Sequence, residues 1–293
     1  MPAPESALIS AAAASIRRET RVQEPEEDVR EPGEVCNDEV LWRREGRVGW
    51  IVLNRPHARN SLTMDMYQRV AEIMAKVDAD RDVRAVVFTG AGEEAFAAGT
   101  DIAHFQSFRG AEDILEYEKS VEAVLESIES VRVPTIAAIR GACVGGGAAI
   151  ASTCDVRLAS PSARMGFPIA RTLGNCLSLR GYARLVDLVG SSRVKEMIFS
   201  SRLIGAAEAH EIGWVQEVVE SEGDLLPRAE EMAARYASRA PLTIEATKKA
   251  LVRIRESHVP DGDDLVLMCY LSRDFREAVS AFLAKERPTW RGE

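Results

Sequence analysis

Little in this chain would staple it, anchor it or load it with metal. Its 293 residues include five cysteines, Cys36, Cys143, Cys154, Cys176 and Cys269, and four histidines. No two cysteines form a C-x-x-C pair, and none takes a metal-ligand spacing with a histidine. An odd, scattered set fits reduced thiols in a cytoplasmic protein better than a disulfide framework, and no metal is expected. Long hydrophobic runs are also missing. None approaches the roughly 20 apolar residues that a membrane span needs, so no membrane partner is expected. Positive charge is in deficit, with 37 Lys and Arg against 46 Asp and Glu, a net charge of −9. A general nucleic-acid binder presents a basic face to phosphates, so no nucleic-acid partner is expected, and an anionic ligand must rely on local positive groups. The apolar stretch Ala11–Arg18 lacks a preceding basic region and soon gives way to acidic sequence, which argues against a secretory signal. The glycines do not follow G-x-G-x-x-G spacing, and no acidic residue is placed to hold a ribose, which disfavours a dinucleotide fold.

What remains is ordinary for a soluble globular chain, 46% hydrophobic and 28% charged, and long enough for one large core or two modest ones. Residues 1–38 are rich in Glu, Pro, Ala and Arg and read as a mobile arm. From Val40 two strands flank Glu45 and Gly46, the second running from Val48 to Leu53. Thr63 caps an expected helix to Val77, with Met66, Val70, Ile73, Met74 and Val77 on one face. Ala85 to Thr89 reads as a buried strand. Ala111 to Ser130 reads as a helix with a core stripe of Ile114, Val121, Val124, Leu125 and Ile128. Strands follow after Pro134 and over Asp155 to Ala159. From Leu177 to Lys285 the pattern is mostly helical, with a break near Gly213 to Pro227. This is an α/β arrangement.

Two stretches share one design. Pro134 to Asp155 opens with the apolar run Thr135 to Ile139, turns at Gly141, and passes through Gly145, Gly146 and Gly147 into a small-residue helix. Ala85 to Ile102 repeats the order of buried strand, glycine turn and small-residue loop. Glycine lets a ligand approach the main chain, and the first turn of a helix leaves amide N–H groups free. Two such loops supply two backbone donors for one carbonyl oxygen, as stabilisation of a thioester enolate requires.

Ala95 to Ile102, Ile139 to Gly147, Cys154-Asp155, Leu53 to Leu62 and the closing Phe282 to Trp290 together resemble signatures of the crotonase (enoyl-CoA hydratase/isomerase) superfamily, over about Val40 to Trp290. The resemblance implies a repeated ββα spiral over residues 39–220, holding an acyl-CoA site, and a C-terminal helical trimerisation region over 221–293. It implies a homotrimer or dimer of trimers, with no permanently bound cofactor and coenzyme A entering as part of the substrate. The oxyanion donors would be the amides of Thr100 and Gly146. Ala97, Ala98, Asp101 and Ile102 would line the coenzyme A channel. Arg55, His57, Arg59 and Lys285 would reach its nucleotide.

The resemblance fails at the catalytic residues. Family hydratases carry one glutamate three residues after the middle glycine and another after the proline of an F-G-x-P-E turn. Here Ala149 and Ile169 occupy those positions, and neither transfers a proton. Arg171, His104 and Asn175 are the candidate replacements, with Cys176 and Ser178 close by. The expected function is an enoyl-CoA hydratase/isomerase-like enzyme acting on an acyl-CoA. The alternatives are a non-catalytic acyl-CoA-binding homologue, or a decarboxylase or thioesterase of the same superfamily.

Overall fold

The computed structural model describes residues 39–293. The expected N-terminal arm, with Cys36, lies outside them. Strands β1 (Val40–Glu45) and β2 (Val48–Leu53) form an antiparallel hairpin. Helix α1 (Met64–Ala79) follows, and the Thr63 hydroxyl accepts from the Met66 amide at its start. Its buried face carries Met66, Tyr67, Val70, Ile73, Met74 and Val77, as the periodicity predicts. Each of the aliphatic residues contributes about 1.5–3 kcal/mol by leaving water.

Next come β3 (Ala85–Gly90), β4 (Ala95–Ala97) and α2 (Ala111–Ser130). After them lie β5 (Thr135–Ile139), β6 (Ala142–Val144) and α3 (Gly146–Thr153). A third round gives β7 (Val156–Ala159), β8 (Arg164–Gly166) and the short α4 (Ile169–Thr172). Each round sends its first strand to one sheet and its second to another. The larger sheet has the order β1-β2-β3-β5-β7-β10, where β10 is Glu217–Val218. The smaller has the order β4-β6-β8-β9, where β9 is Ile204–Gly205. Successive rounds pair in parallel in both sheets. The strands β3 and β5 are buried from end to end but for Gly90, which explains their unbroken apolar sequences.

The expected helical run holds, interrupted by β9 and β10: α5 (Leu179–Val189), α6 (Ser191–Ser200), α7 (Ala206–Glu211), α8 (Leu225–Ala237), α9 (Pro241–Glu256), α10 (Asp263–Tyr270) and α11 (Arg273–Leu283). The short β9 and β10 carry too few residues to register as strands by pattern. Helix α8 lays Leu225, Ala229, Met232 and Ala233 on Val48, Trp50, Ala85 and Val87 of the larger sheet, so it belongs to the core although it lies beyond residue 220. Helices α10 and α11 fold back onto α2 and the 3₁₀ segment Ile102–Ser107. There Phe105, Ile114, Tyr117, Tyr270 and Phe275 form an aromatic-rich cluster. Asp155 of the Cys154-Asp155 motif holds strand β5 to α9, because one of its oxygens accepts from the Thr135 amide, the Thr135 hydroxyl and the Lys248 ammonium. Among the described residues no helix is long and apolar enough to cross a membrane, and no cluster of acidic, Cys and His side chains has the makings of a metal site.

Candidate active site

The site begins as two backbone turns. Gly99 has φ 122° and Gly145 φ 52°, in the region that side chains rarely enter. A Cβ on Gly145 would lie 3.6 Å from the Gly99 Cα, so the two turns abut. The Leu62 amide donates to the Gly99 carbonyl and the Asp101 amide donates to the Leu62 carbonyl, each at 2.8 Å. That parallel bridge engages both neighbours of Thr100 and turns the Thr100 N–H away from Leu62. Gly146 opens α3, where no carbonyl of the helix is available to its N–H. Thr100 and Gly146 line the same cavity, of about 180 Å³, with Ala98, Ile102, Ala149 and Ile169 in its walls.

Side chains brace the two turns from beneath. The Tyr67 hydroxyl shares a hydrogen bond with Thr100 Oγ1 at 3.0 Å, and the Tyr117 hydroxyl donates to the same oxygen at 3.4 Å. A Cβ on Gly146 would come within 2.3 Å of the Tyr67 hydroxyl and 2.8 Å of Thr100 Oγ1. Burial pushes Tyr67 up to about 12 and Tyr117 well above the usual phenol value, so both hydroxyls keep their protons at neutral pH.

The facing wall is built from α2, α10 and the loop after α4. Glu118 lines the cavity there, and the Tyr270 hydroxyl donates to its Oε1 at 2.7 Å. Asn175 Nδ2 donates to the Tyr270 hydroxyl at 3.1 Å, while Asn175 Oδ1 is buried with no partner among the described residues. Burial raises the Glu118 carboxyl from 4.5 to about 7, against the opposing pull of the Tyr270 hydrogen bond. Glu122, one turn on, is engaged by Arg184 and by the Ser178 hydroxyl at 3.2 Å. Arg184 also meets Glu129, which Arg255 holds in turn. The cavity is therefore lined by two carboxyls, one locked in an ion pair and one held only by neutral groups.

The family model for enoyl-CoA hydratase/isomerase matches residues 43–293. The chain belongs to the enoyl-CoA hydratase/isomerase family. It is 33% identical over 252 residues to a short-chain-enoyl-CoA hydratase of Clostridium acetobutylicum, covering 85% of this chain and 95% of that protein. It is 31% identical over 254 residues to a peroxisomal Δ(3,5)-Δ(2,4)-dienoyl-CoA isomerase of Arabidopsis thaliana, covering 81% and 90%. A crystal structure described as an enoyl-CoA hydratase/carnithine racemase from Magnetospirillum magneticum superposes with a TM-score of 0.72 at 31% identity, over 88% of this chain and 97% of that one.

Within this enoyl-CoA hydratase/isomerase frame, Ala149 and Ile169 both face the cavity, so the two positions that lack glutamate are where a proton-transferring group would be useful. The structure redistributes the other candidates. Asn175 is in the wall. Arg171 is exposed at the end of α4 and does not line the cavity, a correction that follows from the single turn of that helix turning the residue outward. His104 is likewise outside the cavity: its ring lies 5.6 Å from those of Phe108 and Tyr117, one aromatic layer away. Cys176 lines the cavity, and Ser178 caps α5 through the Gly181 amide.

Of the coenzyme A candidates, Ala98 and Ile102 line the cavity. Ala97 is fully buried, and its carbonyl lies 2.3 Å from where a Gly147 Cβ would stand, so it is packing. Arg55 is tied to Asp101 at 3.2 Å, the Ser61 carbonyl at 2.8 Å and Glu39 at 3.0 Å, while Asp101 also caps the segment Ile102–Ser107 through the Ala103 amide. This pair holds the Gly99–Asp101 turn in place. His57 and Arg59 are exposed, with Arg59 paired to Glu94 at 3.0 Å, and Lys285 is exposed beyond α11.

Sequence reading missed Glu118, although a signal was present. It lies four residues after Ile114 and three before Val121, so a carboxylate sits on the apolar stripe of α2.

Proposed function

We propose that this protein acts on an acyl-CoA thioester, holding the thioester oxygen between the Thr100 and Gly146 amides while charge develops on it. The observation that carries this reading is the abutment of two glycine turns whose free N–H groups border one cavity. Preorganised donors of this kind stabilise an enolate without reorganising when the charge appears. Ala98 and Ile102 would meet the thioester end of coenzyme A, and exposed His57, Arg59 and Lys285 remain for its phosphates. Exposed apolar residues on the C-terminal helices, among them Leu251, Ile254, Met268 and Leu271, support a homotrimer or dimer of trimers. Hydration by two glutamates has no carrier at residues 149 and 169. A second reading follows from that gap: a homologue that binds acyl-CoA without converting it.

Calorimetry with coenzyme A thioesters, run beside turnover assays on an acyl-CoA panel, tests both. Binding with conversion supports the enzyme, and binding alone supports the second reading. Absence of binding to every thioester rejects the shared premise.

A further inference from the structure

The cavity faces its oxyanion turns with one carboxyl that no cation holds. We propose that Glu118, positioned by Tyr270, is the proton-transfer group of this site in place of residues 149 and 169, which selects double-bond migration in a 3-enoyl thioester, rather than hydration, from the chemistries its family already performs. The inference rests on the acyl-CoA reading above and names the reaction class.

Three observations converge on it. Glu118 lines the same cavity as Thr100, Gly146, Ala149 and Ile169. Its residue neighbour Tyr117 reaches Thr100 Oγ1 at 3.4 Å, which sets α2 directly against the first oxyanion turn. The other carboxyl in the wall, Glu122, is committed to Arg184 and Ser178. Adding water across a double bond needs a base for the water and an acid for the α-carbon, hence two groups or one poised for both. Moving a double bond needs a single base that takes a proton and returns it two carbons further along.

The step balances with Glu118 alone. Its carboxylate removes a proton from the α-carbon, and the C–H electron pair passes into the thioester as a dienolate. The negative oxygen lies between the Thr100 and Gly146 amides. The carboxyl then returns a proton, its own or one exchanged with solvent, to the γ-carbon, the double bond settles between the α- and β-carbons, and the carbonyl is restored. Nothing is oxidised or reduced, and no water is consumed.

Tyr270 positions this carboxyl. Its hydroxyl donates to Oε1 at 2.7 Å, which leaves the other oxygen free to face the cavity, and Asn175 fixes the hydroxyl from behind at 3.1 Å. A carboxyl that ionises near neutral pH is suited to take and give a proton with similar ease. The charged and titratable groups around it are Glu122 on its own helix, Asp263 and Tyr270 on α10, Tyr67 and Tyr117 behind the oxyanion turn, and Cys176 in the loop. The two carboxylates oppose ionisation of Glu118, and the Tyr270 hydrogen bond favours it.

The test uses the full-length protein with 3-hexenoyl-CoA as substrate and crotonyl-CoA as the hydration control. Conversion is followed by absorbance of the conjugated thioester, and deuterium uptake by mass spectrometry in heavy water. The wild type is expected to isomerise 3-hexenoyl-CoA and to hydrate crotonyl-CoA far more slowly. Glu118→Gln should bind the thioester within a few-fold by calorimetry while isomerisation falls by about 10²-fold or more. Tyr270→Phe should lower the rate and move the pH at which it is half-maximal upward, a change that a purely structural role would not produce in a variant with unaltered melting. The proposal is overturned if Glu118→Gln binds and isomerises at near wild-type rate, if crotonyl-CoA is hydrated as fast as 3-hexenoyl-CoA is isomerised, or if the wild type binds thioesters but moves no double bond and exchanges no proton. A wild type that binds no thioester overturns the acyl-CoA reading itself.

Discussion

One half of the cavity is made of main chain and the other of side chains, and the two halves differ in what they tolerate and in how they are encoded. The main-chain half is two turns, Gly99-Thr100 and Gly145-Gly146, braced by Tyr67 and Tyr117. Any residue supplies an N–H, so the side chain at Thr100 is negotiable and the space at Gly146 is not. The side-chain half is Glu118, Asn175 and Tyr270, three residues from three separate segments. There the proposed chemistry rests on the identity of each group rather than on the backbone.

The largest effect should follow from breaking the main-chain half. Gly146→Ala places a methyl within 2.3 Å of the Tyr67 hydroxyl and 2.8 Å of Thr100 Oγ1. The turn must move, and one donor leaves its aim. Loss of a single oxyanion donor costs about 10²–10³ in turnover. Acyl-CoA kinetics on a variant whose circular dichroism matches wild type would show it, and an unchanged rate would remove Gly146 from the site.

The two halves also differ in legibility, for a physical reason. Backbone turns are local: glycine triplets, the Ala95 to Ile102 loop and the apolar runs before them are contiguous in sequence, so the two turns that meet at Thr100 and Gly146 are readable, as are the α2 boundaries and the strand β5. The facing wall is assembled from positions 118, 175 and 270, and no local pattern links them. Residue type leads to Asn175, which is in the wall, and equally to Arg171 and His104, which are close in sequence to the right loops but lie outside the cavity. The short strands β9 and β10 escape for a related reason: two residues carry no period.

Breaking the side-chain half should leave a signature in stability as well as in rate. The unfolded chain releases the Glu118 proton near 4.5, whereas the folded protein holds it to about 7. Below pH 4 both states are protonated and the residue contributes no pH dependence. Between these values the folded state binds the extra proton, so stability falls as pH rises, and above 7 the penalty is constant at about 3 kcal/mol. Glu118→Gln removes an ionisable group without removing volume. Urea titrations should therefore find the variant more stable than wild type at pH 8, by up to about 3 kcal/mol, and level with it at pH 4. A variant that loses stability equally at both pH values would show that the carboxyl is structural, a result that bears on catalysis because a structural acid is satisfied in its place.

A smaller effect is expected where the halves meet. Thr100→Ala keeps the amide and deletes the oxygen that Tyr67 and Tyr117 share. Two buried hydroxyls lose a partner, which costs about 1–3 kcal/mol in thermal or urea unfolding. Turnover should fall by less than about tenfold, because the donor is main chain. A loss of rate as large as that of Gly146→Ala would mean that the hydroxyl, not the amide, meets substrate.

The smallest effect sharpens the contrast between residue type and residue placement. Arg171 has the charge and fork to hold a carboxylate, and by type alone it is the best-qualified group near the loop after α4. The structure leaves it exposed, and the cavity wall passes through its neighbour Thr172 instead. Arg171→Ala should therefore change stability by no more than about 0.5 kcal/mol, as exposed substitutions do, and should leave kcat/KM for an acyl-CoA within about twofold. If kcat/KM dropped by an order of magnitude with kcat unchanged, the arginine would be binding the substrate's coenzyme A moiety from outside the acyl cavity. The side-chain half of the site would then extend beyond the wall that Glu118 and Tyr270 define.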